Sequence, residues 1–155
     1  MGFENTTGTG SLAHYGPRDA NQKFGGLNTD GAGTNKAVYV FDYDDLPAGG
    51  ASDNNYATIP ANAFIQSAKI YVETAMDGTS GTLTVGLEEQ DGTDIDADGI
   101  DATVAQAALT ANAVIVCDGA LVGASIGTAA GQLLVTTGGT VTAGKFKVVI
   151  EYMVL

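Results

Sequence analysis

The chain has 155 residues, with 6 Lys and Arg against 18 Asp and Glu, one His, one Cys and no Trp. The formal charge of −12 argues against nucleic acid as a partner, because phosphates are gathered by Lys and Arg. Glycine supplies 22 residues while charged residues make up only 15%, a lean and turn-rich composition for one domain whose length suits a single buried core.

Cys117 is the only cysteine, which excludes an intrachain disulfide and leaves packing and hydrogen bonds to hold the fold. The start of the chain, Met1 to Asn5, has neither a basic stretch nor an apolar one. No segment approaches the roughly 18 uncharged apolar residues of a membrane span, so we expect a protein made without a secretion signal and away from membranes.

Residues 1 to 36 form the first compositional unit. They balance Arg18, Lys23 and Lys36 against Glu4, Asp19 and Asp30, whereas the whole −12 belongs to residues 37 to 155. Their large apolar residues, Phe3, Leu12, Tyr15, Phe24 and Leu27, are few and follow no period. Ordering a backbone costs about 1 to 2 kcal/mol per residue, so this extended Gly-rich arm needs a partner surface to become fixed. Gly8 to Ala13 matches the dinucleotide pattern G-x-G-x-x-A, yet no strand precedes it and no helix follows, which removes the context that makes the motif bind phosphate. His14 has no second imidazole with which to build a zinc site. The sequon at Asn5 carries no weight without a secretory route.

From residue 37 onwards the chain alternates with period two, as half-buried strands do. Tyr39, Phe41 and Tyr43 form an aromatic stripe that reads as core. Pro47 to Gly50 and Ser52 to Asn55 read as turns, and Pro60 limits Ile59 to a strand end. A longer strand sets Ala68, Ile70 and Val72 against Lys69, Tyr71 and Glu73. Asp77 to Gly81 predicts a hairpin turn leading into Leu83, Val85 and Leu87. Asp101 to Leu109, rich in Ala and free of Gly and Pro, predicts the one short helix. Strands follow at Val114 to Val116, Ala120 to Val122 and Gln132 to Thr136. The last strand alternates Phe146, Val148, Ile150 and Tyr152 with Lys145, Lys147, Val149 and Glu151. Roughly six to eight short strands with Gly-rich turns predict an all-β fold, an antiparallel β-sandwich of the jelly-roll or immunoglobulin-like kind over 37 to 155, with one short helix and the extended N-terminal arm.

Two patterns bear on chemistry. Asp94, Asp96 and Asp98 occupy positions 1, 3 and 5 of a calcium loop, Gly99 the tight-turn position, and Ile100 offers a backbone carbonyl, with Asp101 close by. Ala105 replaces the bidentate Glu of position 12, so any Ca²⁺ site is incomplete unless other residues finish it. The same acids read equally as helix caps at Asp98 and Asp101 among solvated neighbours. Cys117 lies in the apolar run Val114 to Cys117 and reads as a small core residue rather than a nucleophile. With no base to serve it and no Trp for sugar stacking, we expect no enzyme, no catalytic residues and no organic cofactor.

The runs Ile59-Pro60-Ala61-Asn62-Ala63-Phe64-Ile65, Gly81-Thr82-Leu83-Thr84-Val85-Gly86-Leu87, Ile95 to Ala102 and Ala143 to Tyr152 resemble those of tailed-bacteriophage capsid decoration, or cement, proteins from marine and cyanobacterial podovirus-like phages. The resemblance spans about two thirds of the chain. It implies a non-enzymatic virion structural protein, made in the host cytoplasm and placed on the outer capsid surface, often as a homotrimer. Such a protein binds the assembled icosahedral shell and stabilises contacts between subunits of the major capsid protein. The arm would then attach to the shell through Phe3, Tyr15, Arg18, Lys23, Phe24 and Leu27. The alternative from another class is a tail-fibre or surface adhesin module that binds a receptor or carbohydrate, which exposed aromatics would favour.

Overall fold

In a computed structural model, residues 33–44 and 58–154 are described in full, and residues 12–15, 25–30 and 45 by their backbone. Among the described residues seven strands form one antiparallel sheet: β1 (Leu12–Tyr15), β2 (Gly25–Asp30), β3 (Asn35–Asp42), β4 (Ala63–Glu88), β5 (Asp94–Ala105), β6 (Val114–Val116) and β7 (Gln132–Val154). Their order is β1-β2-β3-β7-β4-β5, with β6 paired to β4 beside this path. The all-β antiparallel class is the one expected from the sequence. The strands share one open sheet, and the turn signals at 47–50 and 52–55 lie outside the described residues.

Period-two alternation places the core. Tyr39, Phe41, Ile70, Val72, Phe146, Val148, Ile150 and Tyr152 are all buried. The register explains why: Phe146 lies opposite Phe41 on one side and Val72 on the other, and Val148 lies between Tyr39 and Ile70. The Phe41 and Phe146 rings pack tilted, with centroids 5.4 Å apart. Each such side chain removed from water contributes about 1.5 to 3 kcal/mol. Leu83, Val85, Leu87, Leu133 and Val135 join the same cluster, so both ends of the long strands feed a single core.

Three expectations need correction. Asp77 to Gly81 does not turn a hairpin, because it lies inside β4, which runs 26 residues without reversing. The pairing of β4 with β7 instead skips residues around Thr74, Asp77 and Thr79, and bulges of this kind bend the strands that carry them. Gly78 has φ +140, and a Cβ there would fall on the Thr140 carbonyl. Gln106 fastens the bend by accepting a bond from Gly81 N at 3.1 Å and donating to the Gly78 carbonyl at 3.4 Å. Second, Asp101 to Leu109 is not a helix. Residues through Ala105 belong to β5, where Val104 pairs with Leu83, and only a 3₁₀ turn at Gln106–Ala108 follows. Nine residues make a marginal helix, and burying Val104 against the sheet outweighs alanine's propensity. Third, Ala120 to Val122 forms a turn, tied by Val122 N to Gly119 O at 3.0 Å.

The bends let β4 serve two neighbours on the edge away from β7. Its first half bonds to the chain from Leu109 to Ile126 through Met76 N to Leu109 O, Val72 N to Ala113 O, Cys117 N to Ala68 O and Ile126 N to Ala63 O. Its second half bonds to β5. These two neighbours then meet, with Gly119 N donating to Ile100 O at 3.0 Å and Leu121 N to Gly99 O at 2.8 Å.

Candidate functional site

The acidic stretch is a bulged strand. Asp94 lies opposite Glu88, Asp96 opposite Leu87 and Asp101 opposite Val85, so the residues from Ala97 to Ile100 arch out where β4 offers only Gly86. A side chain at Gly86 would collide with the Ala97 carbonyl, which is why glycine stands beneath the arch. The strand scatters the predicted calcium donors. Asp94 and Asp98 are exposed, and Asp96 accepts from Asp98 N at 3.4 Å. Partial burial and the neighbouring Asp98 push the Asp96 carboxyl above its usual range. The Ile100 carbonyl is already taken by Gly119 N, and Asp101 points inward. Among the described residues no three acids, His or Cys come together as a metal site. Asp91 instead closes the preceding turn, accepting from Thr93 N at 3.0 Å, which holds its carboxyl below the usual range.

Sequence reasoning missed two buried polar pairs. Glu88, counted among the acidic cluster, is buried, and Gln132 Nε2 donates to its Oε1 at 3.0 Å. Asp101 is also buried, and burial raises its pKa while a hydrogen bond from the Cys117 thiol opposes that rise. Neither Asp98 nor Asp101 caps a helix. Cys117 is a core residue as expected, and burial beside Asp101 pushes its thiol up to about 12, far from the thiolate a nucleophile requires.

The described lysines, Lys36, Lys69, Lys145 and Lys147, come from three strands and share the outward face of the sheet. Glu73 accepts Lys147 at 3.2 Å and Lys145 at 3.5 Å, and Glu151 accepts Lys36 at 3.3 Å and Ser67 Oγ at 2.9 Å. Glu73 is held below the usual range chiefly by Lys147, and Glu151 by Ser67 and then Lys36. Between these charges runs a groove of about 550 Å³ whose lining includes Val38, Tyr71, Val114 and Val149. Tyr71, at 37% exposure, is the one exposed aromatic among the described residues.

Of the expected arm residues, Phe3, Arg18, Lys23 and Phe24 lie outside the described residues. Tyr15 and Leu27 are register partners across β1 and β2, and Leu27 stands opposite Val38 of β3, so part of the arm extends the sheet.

No protein-family model matches the sequence, and no curated protein is similar to it in sequence. In fold the chain is similar to a chain from the capsid of Ralstonia phage GP4, with a TM-score of 0.53, 20% identity, and 77% of this chain and 84% of that one covered. It is likewise similar to a chain from the cyanophage Pam1 capsid asymmetric unit, with a TM-score of 0.52, 16% identity, and 81% and 91% covered. At these identities the likeness is one of fold.

Proposed function

We propose that the chain is a non-enzymatic structural protein of a phage virion, a decoration or cement protein that binds the outside of an assembled shell and bridges major capsid subunits. The observation that carries this reading is the fold shared with two phage capsid chains. Each likeness covers most of both partners, so the chains are of nearly equal size and match as whole domains rather than as fragments. The buried, hydrogen-bonded state of Asp101, Glu88 and Cys117 supports a structural role, because none is presented to a substrate. Among the described residues the one exposed aromatic is Tyr71, which is less than the aromatic platform a sugar-binding adhesin would present.

In this reading the charge-balanced arm attaches to the shell. The −12 carried by residues 37 to 155 keeps free copies apart. Co-sedimentation with shells assembled from the major capsid protein tests it. The full chain should pellet with shells, and a chain lacking residues 2 to 24, which leaves β2 in the sheet, should stay in the supernatant with an unchanged circular dichroism spectrum. Equal pelleting of the two would remove the arm from the account. Sedimentation velocity of the free chain tests the trimer that the resemblance implies.

A further inference from the structure

Among the described residues aspartate precedes glycine at Asp77-Gly78, Asp91-Gly92, Asp98-Gly99 and Asp118-Gly119. Such a pair can rearrange with no reagent but water. The glycine nitrogen attacks the carboxyl of the preceding side chain, and glycine leaves that nitrogen unshielded by a Cβ. The fold treats the four pairs differently. Gly92 N donates to Glu89 O at 3.0 Å, and the Asp91 carboxyl accepts from Thr93 N at 3.0 Å instead. Gly119 N is held by Ile100 O at 3.0 Å. Gly99 is buried, with Leu121 so close that a Cβ there would collide with it. At the remaining pair, Gly78 N donates to Oδ1 of Asp77 itself at 2.8 Å, and Asp77 is exposed to water. An amide attacks through the lone pair left when its N–H proton is removed. The Gly78 N–H already points at the carboxyl, so that lone pair is aimed at the group it must reach.

The strand pairing leaves room for the reaction. Asp77 lies opposite Ala143 and Gly78 opposite Val141, so β7 carries one extra residue, Thr142, against the Asp77-Gly78 peptide bond. Rearrangement lengthens β4 by one main-chain carbon at that bond, which narrows the mismatch. Glycine is demanded there by the bend, since a Cβ on Gly78 would fall on the Thr140 carbonyl. The packing that makes the bend therefore also makes the reactive pair. We propose that Asp77-Gly78 is a self-modifying site at which the native chain converts Asp77 to isoaspartate. The Gly78 N–H proton passes to solvent, the nitrogen bonds to Asp77 Cγ, and the carboxyl hydroxyl departs as water, closing a succinimide ring. Water then adds to the main-chain carbonyl carbon of Asp77, the bond from that carbon to Gly78 N breaks, and the nitrogen recovers a proton. The main chain now runs through Cβ and Cγ of residue 77, and the former main-chain carbonyl is a free carboxylate. One water is released and one consumed, so the mass of the chain is unchanged. The site lies in the β-domain and stands independently of what the arm binds.

The test incubates the folded full chain for several weeks in mildly acid buffer, about pH 6 at about 37 °C, because aspartyl cyclisation draws on the protonated carboxyl. Proteolytic digestion and electron-transfer fragmentation then distinguish isoaspartate from aspartate at each pair. Isoaspartate should accumulate at Asp77 about fivefold faster than at Asp91, Asp98 or Asp118, and the four rates should converge when the chain is unfolded in urea. Asp77→Asn keeps a side-chain carbonyl to accept the Gly78 N–H and replaces the departing hydroxyl with an amine that leaves as ammonia. In the folded chain it should deamidate faster than Asp91→Asn does. Equal accumulation at the four pairs in the folded chain would overturn the proposal. So would isoaspartate at Asp77 that forms only in urea, or an Asp77→Asn amide that outlasts the one in Asp91→Asn.

Discussion

Replacing Gly78 with alanine probes the bend that gives β4 two neighbours. The substitution places a Cβ at φ +140, a conformation that costs an L-residue about 1 to 2 kcal/mol, and drives it onto the Thr140 carbonyl of the paired strand. Relieving that collision means moving β7 away from β4 where Gln106 clasps the bend, an overpacking cost of about 1 to 3 kcal/mol more. Gly92 supplies the control. It also has a positive φ, +85, but a Cβ there meets nothing within 4 Å, so Gly92→Ala should cost only about 1 kcal/mol. At about 2 to 4 °C per kcal/mol for a chain of this size, thermal unfolding followed by circular dichroism should show Gly78→Ala melting roughly 5 to 15 °C below the parent. Gly92→Ala should lose about 2 to 4 °C. If Gly78→Ala melts no lower than Gly92→Ala, the close approach of β4 and β7 at the bend is wrong.

The remaining expectations concern the polar groups. Burial raises the Asp101 pKa above its unfolded value, so its protonated form favours folding and the native state loses that contribution as pH rises through the raised value. Asp101→Asn should therefore stabilise the protein at pH 7 by about 1 kcal/mol, with the gain vanishing as pH falls below the ordinary carboxylate range; a gain independent of pH refutes the burial of a charge there. The ion pairs of Glu73 and Glu151 have the opposite sign, being present above the ordinary carboxylate pKa and lost as pH falls through their lowered values. Both are exposed, so high salt should erase most of that effect in the same pH series. With its pKa near 12, the Cys117 thiol should react with Ellman's reagent at pH 8 about a thousandfold more slowly in the native protein than in urea, and comparable rates would place it at the surface. Millimolar calcium against EGTA should leave the melting temperature within about 1 °C, since Ile100 O is occupied and Asp101 faces inward; a larger rise would mean that the acidic arch closes around the ion.

The parts of the fold legible in the sequence were those governed by local alternation. Tyr39 and Phe41, Ala68 to Val72, Leu83 to Leu87 and Phe146 to Tyr152 present the faces that period two assigns them. Asp77 to Gly81 misleads because a hairpin and a bend use the same residues. Which one forms depends on Gly138 to Gly144, about sixty residues away, lying alongside. The alanines after Asp101 favour a helix locally, and only the pairing of Val104 with Leu83 overrides them. The carboxylates from Glu88 to Asp101 look alike in sequence, yet register turns Glu88 and Asp101 inward and leaves Asp94 and Asp98 in water. The lysine face was invisible for a related reason. Its four members stand at 36, 69, 145 and 147, and strand order alone assembles them.

Cryo-electron microscopy of shells mixed with the purified chain tests the proposed role most directly. The account predicts density of one small β-domain per site on the outer shell surface, with the chain ahead of β2 leading towards the capsid subunits beneath. Density confined to a tail, or bare shells at saturating protein, would contradict it.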